Sequence, residues 1–232
     1  MTQQIELLRP QQIEAELARR SLIYLPLGTV EWHCHHLPVG LDALTAHGLC
    51  LRAAQRTGGL VWPPLYFGTG GDHGDFPWTV MMPAATEIEA LLRFTLHRLA
   101  KQGLAEAVLF SGHFADAQLE MIDRIAANWN IEGRAPFVRA LSVNRLSVPG
   151  LPADHAGLFE TSLMRALSSD LVRLDLLPDT ADEVPRMDPA SPLWGIIGAD
   201  PRQDAPLADG DVLERLVTEL VQAVSAASRS SA

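Results

Sequence analysis

Short apolar segments alternate with amphipathic segments along the 232-residue chain, and this alternation restricts the possible folds more than any other feature. Buried strands are predicted at SLIYLPL (21–27), LVWPPLYFG (60–68), TVMM (79–82), LAEAVLF (104–110) and FVRALSV (137–143). Strands of this kind, separated by helices, are typical of a parallel sheet that is buried on both faces. We therefore predict the α/β class, with three α/β/α layers around a mostly parallel central sheet.

Helical periodicity fills the segments between these strands. Thr86 and Glu89 form a capping-box pattern at the start of one helix, and Asp116 is expected to cap the next. No internal repeat or long linker divides the chain, so we predict one domain over residues 1–232, with residues 229–232 frayed. The predicted helices cover residues 11–20, 43–57, 86–99, 116–128, 157–170 and 211–227.

Composition argues against several classes of protein. The net charge is −10, from 28 acidic and 18 basic residues, and the bases are scattered, so we expect neither a nucleic-acid nor a membrane partner. Two cysteines are too few for a disulfide framework. The first residues do not resemble a signal peptide, and no apolar run has the roughly 18 residues of a membrane span. A cytoplasmic location is the expectation.

Polar residues able to carry chemistry follow the predicted strands. In a parallel α/β sheet, ligands bind outside the carboxyl ends of the strands, so these residues are expected to converge at one edge. They are Glu31 and His33 after the first strand, Asp72 and His73 after the second, His113 after LAEAVLF, and Asp154 and His155 beyond the last strand.

The segment EWHCHHLPVGLD (31–42) favours a metal site. Side chains alternate along an extended segment, so Glu31 and His33 point to the same side. Mixed histidine and carboxylate ligands suit zinc, manganese or iron. Asp42 taken alone is more typical of a helix N-cap, and both interpretations stay open. His35 and His36 cannot both point the way that His33 does, so at least one serves the surrounding structure.

Two rival chemistries fit these segments less well. A thiol nucleophile formed by Cys34 with His35 is geometrically poor, because adjacent residues of an extended segment point to opposite faces. The stretch GTGGDHGD lacks the Lys-Ser/Thr ending of a phosphate-binding loop. Metal chemistry is therefore the favoured hypothesis.

Several motifs resemble the creatininase (creatinine amidohydrolase) family. They are LPLGTVEWHCHHLPVGLD, PPLYFG, the segment from His73 to Phe76-Pro77, GHFAD and HAGLFETS, in the family's order over about residues 21–165. The resemblance implies a creatininase-like fold, a homo-oligomer, and one or two divalent ions per subunit, either zinc, manganese or iron. It also implies that Glu31, His33, Asp42 and His113 are metal ligands, with Asp42 in the bridging position.

The resemblance further implies a reaction, the hydrolysis of a non-peptide or cyclic amide C–N bond by a metal-bound hydroxide. His155 would shuttle the proton to the leaving nitrogen, and Asp154 would tune it. Creatininase carries a further glutamate two residues after the histidine of its Gly-His motif, where this chain has Ala115. Glu160 is the first candidate to replace that ligand and Asp116 the second, and a single-metal site is the alternative.

Departures from the family pattern bear on the substrate. Creatininase holds its substrate between tryptophans, and this chain has Val143-Asn144 and Leu151-Pro152 in those regions, so we expect a small-molecule amide other than creatinine. The alternatives are a formamide deformylase, a peptide-trimming maturation enzyme, and a non-catalytic ligand-binding or regulatory protein. The candidate substrate-binding residues are Trp32, Cys34, His35, His73, Trp78 and Asp116.

Overall fold

The structure is a computed structural model, and it describes residues 2–72, 74–179 and 184–226. The strands are β1 (Leu22–Leu27), β2 (Leu60–Val61), β3 (Gly68–Thr69), β4 (Met81–Met82), β5 (Glu106–Ser111) and β6 (Phe137–Ser142). The α-helices are α1 (Pro10–Arg19), α2 (Leu41–Thr57), α3 (Thr86–Lys101), α4 (Asp116–Ile131), α5 (Leu158–Ser168) and α6 (Asp209–Ala226). Short 3₁₀ helices cover Ile5–Leu7, Val143–Arg145, Ser169–Leu171 and Leu174–Leu176.

The central sheet is parallel, with four strands in the order β2-β1-β5-β6. From β1 the chain moves outward to β2, and later returns to the other side of β1 to form β5. The strand order therefore reverses between β1 and β5, which is where parallel α/β folds form a ligand-binding crevice. The strands β3 and β4 form a second, two-stranded parallel sheet that is separate from the central one.

Alternate residues of the central strands enter two hydrophobic cores. Leu22 and Tyr24 of β1 belong to a core shared with α2, α5 and α6. Ile23 and Leu25 belong to a second core, shared with α3 and α4. Both faces of the sheet are thus covered by helices, and the predicted three-layer α/β/α fold is confirmed.

Two local predictions were wrong. Within the segment 60–68 only Leu60–Val61 and Gly68 are in strands, because Pro63 and Pro64 between them have no amide hydrogen to donate to a neighbouring strand. The helices α3 and α4 do begin at Thr86 and Asp116, but neither side chain caps the helix, since the N-cap residues are Ala85 and Ala115. The Thr86 hydroxyl bonds to the neighbouring Glu87 carboxylate instead.

The first turn of α2 packs directly against the ends of β1 and β5. A Cβ atom on Gly28 would lie 2.2 Å from the backbone nitrogen of Ala43, and one on Gly112 would lie 2.0 Å from the carbonyl oxygen of Asp42. Neither position can therefore accept a side chain without a shift of the backbone. The two glycines bring Asp42, the second residue of α2, to the carboxyl edge of the sheet.

In the described part of the chain, no helix has the length and apolarity that crossing a bilayer requires. The predicted fraying of residues 229–232 falls outside the described residues, as does the candidate residue His73.

Candidate metal centre

Five of the predicted ligands meet at the carboxyl ends of β1 and β5. The loop after β1 supplies two of them, α2 and α5 supply one each, and the residue that follows Gly112 beyond β5 supplies the fifth. All five side chains are buried, with at most 5% of each residue exposed: Glu31, His33, Asp42, His113 and Glu160.

These residues form two groups of three that share Asp42. Glu31, Asp42 and His113 offer ligand atoms within 4.8 Å of one another, and so do His33, Asp42 and Glu160. His33 Nε2 lies 3.2 Å from Asp42 Oδ1, and His113 Nδ1 lies 3.3 Å from Asp42 Oδ2. The two carboxylate oxygens of Asp42 therefore face different histidines.

A backbone carbonyl orients each histidine. His33 Nδ1 lies 3.0 Å from the Glu31 carbonyl oxygen, and His113 Nε2 lies 3.3 Å from that of Gly70. Since a carbonyl only accepts hydrogen bonds, these ring nitrogens carry the protons. The other nitrogen of each ring faces the carboxylates, and once it is deprotonated its lone pair is available to a cation, an arrangement typical of metal-ligating histidines.

The electrostatics of this cluster favour a positive charge at its centre. Burial lowers the pKa of His33, but the Asp42 and Glu160 carboxylates outweigh it and raise that pKa to about 10. Burial also lowers the pKa of His113, but the Asp42 and Glu31 carboxylates outweigh it and raise that pKa to about 10. Burial raises the pKa of Glu160 well above its ordinary value, although the charge of His33 opposes this.

Two buried polar atoms of the cluster indicate whether a cation fits there. His33 Nε2 and Asp42 Oδ2 make no hydrogen bond of regular geometry with the described residues. Leaving such groups unsatisfied costs about 1–3 kcal/mol each, and a divalent ion would satisfy both. The donor set of imidazole nitrogens and carboxylate oxygens also suits zinc or manganese. The residues present therefore fit the metal that the sequence predicts.

Glu160 enters the cluster from the first turn of α5. Its Oε2 atom lies 3.5 Å from His33 Nε2 and accepts a hydrogen bond of 2.6 Å from the backbone N–H of Ala156. His36 forms a hydrogen bond with the next residue of the helix, since His36 Nε2 lies 3.0 Å from the Thr161 hydroxyl. Burial lowers the pKa of His36 to about 4, so this ring is a neutral structural group.

Asp154 binds the start of α5. Its carboxylate accepts hydrogen bonds of 3.0 Å and 3.3 Å from the backbone N–H groups of Phe159 and Glu160. Burial raises the pKa of Asp154 to about 6, against the lowering effect of these bonds. The structure thus shows Asp154 anchoring the helix that carries Glu160, whereas the sequence predicted that it would tune His155.

His155 lies at the edge of the cluster. Its ring centre is 4.4 Å from that of His33, and its Nε2 atom is 3.0 Å from the Trp32 carbonyl oxygen. In the neutral ring Nε2 then carries the proton and Nδ1 is the basic nitrogen. The His155 backbone also pairs with Ile197 in an antiparallel bridge, through N–H···O distances of 3.0 and 2.8 Å.

A cavity of about 540 Å³ opens onto the cluster. Its floor includes Glu31, Asp42 and His113, and His155 lines its side. The lining residues that the sequence did not predict are Gly71, Phe114, Ala115, Ala117, Met187 and Ile197. Met187 and Ile197 lie in a segment with no strand or helix pattern, so only the tertiary fold identifies them as neighbours of the cluster.

Four of the predicted substrate-binding residues lie outside this cavity's lining, and three of them belong to the segment 32–35. Trp32 is buried, donates a 2.9 Å hydrogen bond to the Trp194 carbonyl oxygen, and meets the exposed ring of His35 edge-on at 4.9 Å. Cys34 is buried, and its sulfur lies 3.5 Å from the Pro192 carbonyl oxygen. Burial raises the pKa of the Cys34 thiol, which is the opposite of what a nucleophilic thiolate needs.

The remaining candidates divide between the cavity and the surface. Asp116 lines the cavity and is exposed at its rim. Trp78 does not line it, and is 79% exposed with a φ of 57°, a conformation unusual for a bulky residue. Val143 and Leu151, at the positions compared with the creatininase tryptophans, are buried core residues outside the cavity lining.

Comparisons with known proteins identify the family that the chain resembles. The model of a family described as "Creatininase: Creatinine amidohydrolase" matches residues 6–226. A creatinine amidohydrolase of Pseudomonas putida is 32% identical over 192 residues, which are 72% of this chain and 73% of the relative. A mycofactocin precursor peptide peptidase of Mycolicibacterium smegmatis is 32% identical over 216 residues, which are 86% of this chain and 81% of the relative.

Solved structures show the same similarity. A crystal structure of creatinine amidohydrolase superposes with a TM-score of 0.77 at 28% identity, covering 97% of each chain. A creatininase variant described as the Zn-Zn type gives a TM-score of 0.76 at 28% identity, over 97% of each chain. A structure described as "Creatininase Mn" gives 0.75 at 28% identity, over 97% of this chain and 98% of that one.

Proposed function

The chain belongs to the creatininase (creatinine amidohydrolase) family, and from this premise we propose that it hydrolyses an amide C–N bond at a metal centre formed by Glu31, His33, Asp42, His113 and Glu160. The observation that carries the proposal is the position of Asp42, which faces His33 with one oxygen and His113 with the other. These five residues would hold one or two zinc or manganese ions, with Asp42 common to both groups of ligands. A divalent ion held there would lower the pKa of a coordinated water and polarise an amide carbonyl.

The protein's own groups supply the proton transfer. His155 lines the cavity beside the cluster, and the Trp32 carbonyl fixes its ring. In the neutral ring, Nδ1 can accept the proton that the attacking water loses and pass it to the leaving nitrogen. Asp154 contributes as a positioning residue, because it anchors the helix turn from which Glu160 reaches the cluster.

The proposal includes a small-molecule amide as substrate and a homo-oligomer as the working assembly. Leu91 and Phe94 support the assembly, since both lie on α3 and are 49% and 65% exposed. Large apolar side chains exposed together on one helix are typical of surfaces that another protein subunit covers.

A second candidate function is the trimming of a peptide. It is favoured by the similarity to the Mycolicibacterium smegmatis peptidase over 86% of this chain, and by a cavity larger than a compound of creatinine's size requires. A formamide deformylase and a non-catalytic binding protein are two further candidates. A panel of cyclic amides, formamides and short peptides, offered to metal-loaded protein, separates these four functions.

The test of the metal centre compares two neighbouring histidines. We expect purified His33→Ala to retain less than about half of the zinc or manganese that the wild type binds, because one group of three ligands is lost. His35→Ala makes the same chemical change at an exposed position and should retain the wild-type metal content. Metal analysis of both proteins measures this, and equal metal content in the two variants would refute the proposed centre.

A further inference from the structure

The cavity is markedly acidic from its floor to its rim. Glu31, Asp42 and Glu160 lie at the buried end, while Asp72 and Asp116 line the same cavity and are exposed. The described lining residues include neither lysine nor arginine. Even two divalent ions would leave these five carboxylates with an excess of one negative charge, and one ion would leave an excess of three.

The two rim carboxylates belong to segments that contact one another. A Cβ atom on Gly70 would come within 2.7 Å of the Ala117 Cβ, so the loop after β3 lies against the first turn of α4. Asp72 follows Gly70 by two residues, and Asp116 directly precedes Ala117. Among the described residues, neither carboxylate makes an ion pair or a hydrogen bond. Their charge is therefore available to a ligand.

A second observation, at the buried end of the cavity, also indicates that the cavity binds a ligand. Asp42 is 2% exposed, lines the cavity, and has an oxygen without a regular hydrogen bond. The lining is apolar at Phe114, which is half-buried, and at Met187 and Ile197, which are exposed like the two rim carboxylates. The cavity thus offers a buried metal-binding end, apolar lining and a negative outer end.

We infer that the substrate's amide group is joined through an apolar spacer to a cationic group, an amine or a guanidine, which Asp72 and Asp116 bind at the rim. This inference rests on the proposed metal centre, because the centre fixes where the amide lies. The same charges repel a carboxylate or phosphate on the substrate, so anionic amides are rejected.

Matched hydroxamic acids test the inference without requiring the natural substrate, since a hydroxamate chelates a divalent ion and its chain then extends toward the rim. The cationic probe is ε-aminocaprohydroxamic acid, the neutral one is heptanohydroxamic acid, and the anionic one is pimelic acid monohydroxamate. Isothermal titration calorimetry of the zinc-loaded protein at low salt measures each Kd. We expect the cationic probe to bind about tenfold more tightly than the neutral one, a difference of about 1.4 kcal/mol, and the anionic probe to bind least.

Substitutions test whether Asp72 and Asp116 cause the preference for the cationic probe. In Asp72→Asn combined with Asp116→Asn, we expect the ratio of the cationic and neutral Kd values to fall to within about threefold of one. Asp211→Asn removes an exposed acid of α6 that lines no part of the cavity, and should keep the wild-type ratio. Equal affinity for the cationic and neutral probes, or a preference that survives in the double variant, would overturn the inference alone. Metal-independent binding, or no binding of any probe, would overturn the metal centre with it.

Discussion

Asp42 faces both histidines of the candidate centre, each with a different carboxylate oxygen. Such a residue can join two ions only if each ion has further ligands of its own. Glu31 and His113 supply them on one side, and His33 and Glu160 on the other. The centre therefore has a shared residue and two separate halves, which substitutions can distinguish.

Glu160→Gln tests the half that contains His33. We expect this variant to bind about one ion per chain where the wild type binds two, because a neutral amide oxygen is a much weaker ligand than a carboxylate. Metal analysis after dialysis measures the stoichiometry. Glu120→Gln makes the same chemical change at an exposed position of α4 that belongs to neither half, serves as the control and should keep both ions. Two ions retained in Glu160→Gln would show that this residue is not a ligand.

The sequence predicts the candidate metal ligands but not all of the residues that surround them. Glu31 and His33 are predictable, because the two-residue period of an extended segment places them on one side. Trp32, Cys34 and His35 were predicted to contact substrate, but what they contact depends on where the distant segment around Trp194 passes. No local pattern reveals that path. The metal-ligand and proton-shuttle roles themselves remain predictions.

At the scale of elements, α2 is held against the sheet through two positions without side chains. Gly28 and Gly112 allow the first turn of α2 to touch the ends of β1 and β5. The apolar runs of the sequence predicted these strands well, because continuous burial on both faces leaves a clear pattern. The same pattern overestimated the strand at 60–68, because Pro63 and Pro64 have no amide hydrogen and interrupt the pairing, although Trp62 and Leu65 beside them still donate hydrogen bonds to β1.

Gly112→Ala tests the contact between α2 and β5. Its Cβ would lie 2.0 Å from the Asp42 carbonyl oxygen, so the backbone of one element must move. We expect the free energy of unfolding to fall by about 3 kcal/mol and the metal content to fall with it. Chemical denaturation and metal analysis measure the two effects.

Gly210→Ala is the matched control for this substitution. It lies in the first turn of α6 with no atom within 4 Å of the added Cβ. We expect its free energy of unfolding to be higher than that of the wild type, by no more than about 1 kcal/mol. Similar losses in both glycine variants would contradict the packing argument.

At the scale of the whole molecule, the buried cluster links stability to pH. Neighbouring carboxylates raise the pKa of both His33 and His113 from 6.5 to about 10 in the metal-free fold. The folded state then holds protons that the unfolded chain releases above pH 6.5. This contribution to stability is complete below that pH and is lost as the pH rises toward 10.

Chelator-treated protein should therefore become less stable as the pH is raised across this range. We expect its Tm to fall by on the order of 5 °C more than that of zinc-loaded protein, in which the ions replace the protons. Thermal unfolding of both forms, followed by circular dichroism at a series of pH values, measures the difference. Parallel pH profiles for the two forms would show that the cluster does not bind these protons.

The bridge between His155 and Ile197 has a consequence for protein engineering. Ile197 lines the cavity that is proposed to bind the substrate, and its backbone is paired with the backbone of the residue proposed to transfer the proton. Grafting a different wall onto this scaffold at residues 184–200 would also shift that histidine, so catalytic rate and selectivity would change together. Redesign limited to Asp72 and Asp116, which form no such pairing among the described residues, leaves the proton path in place and offers the more modular route to new substrates.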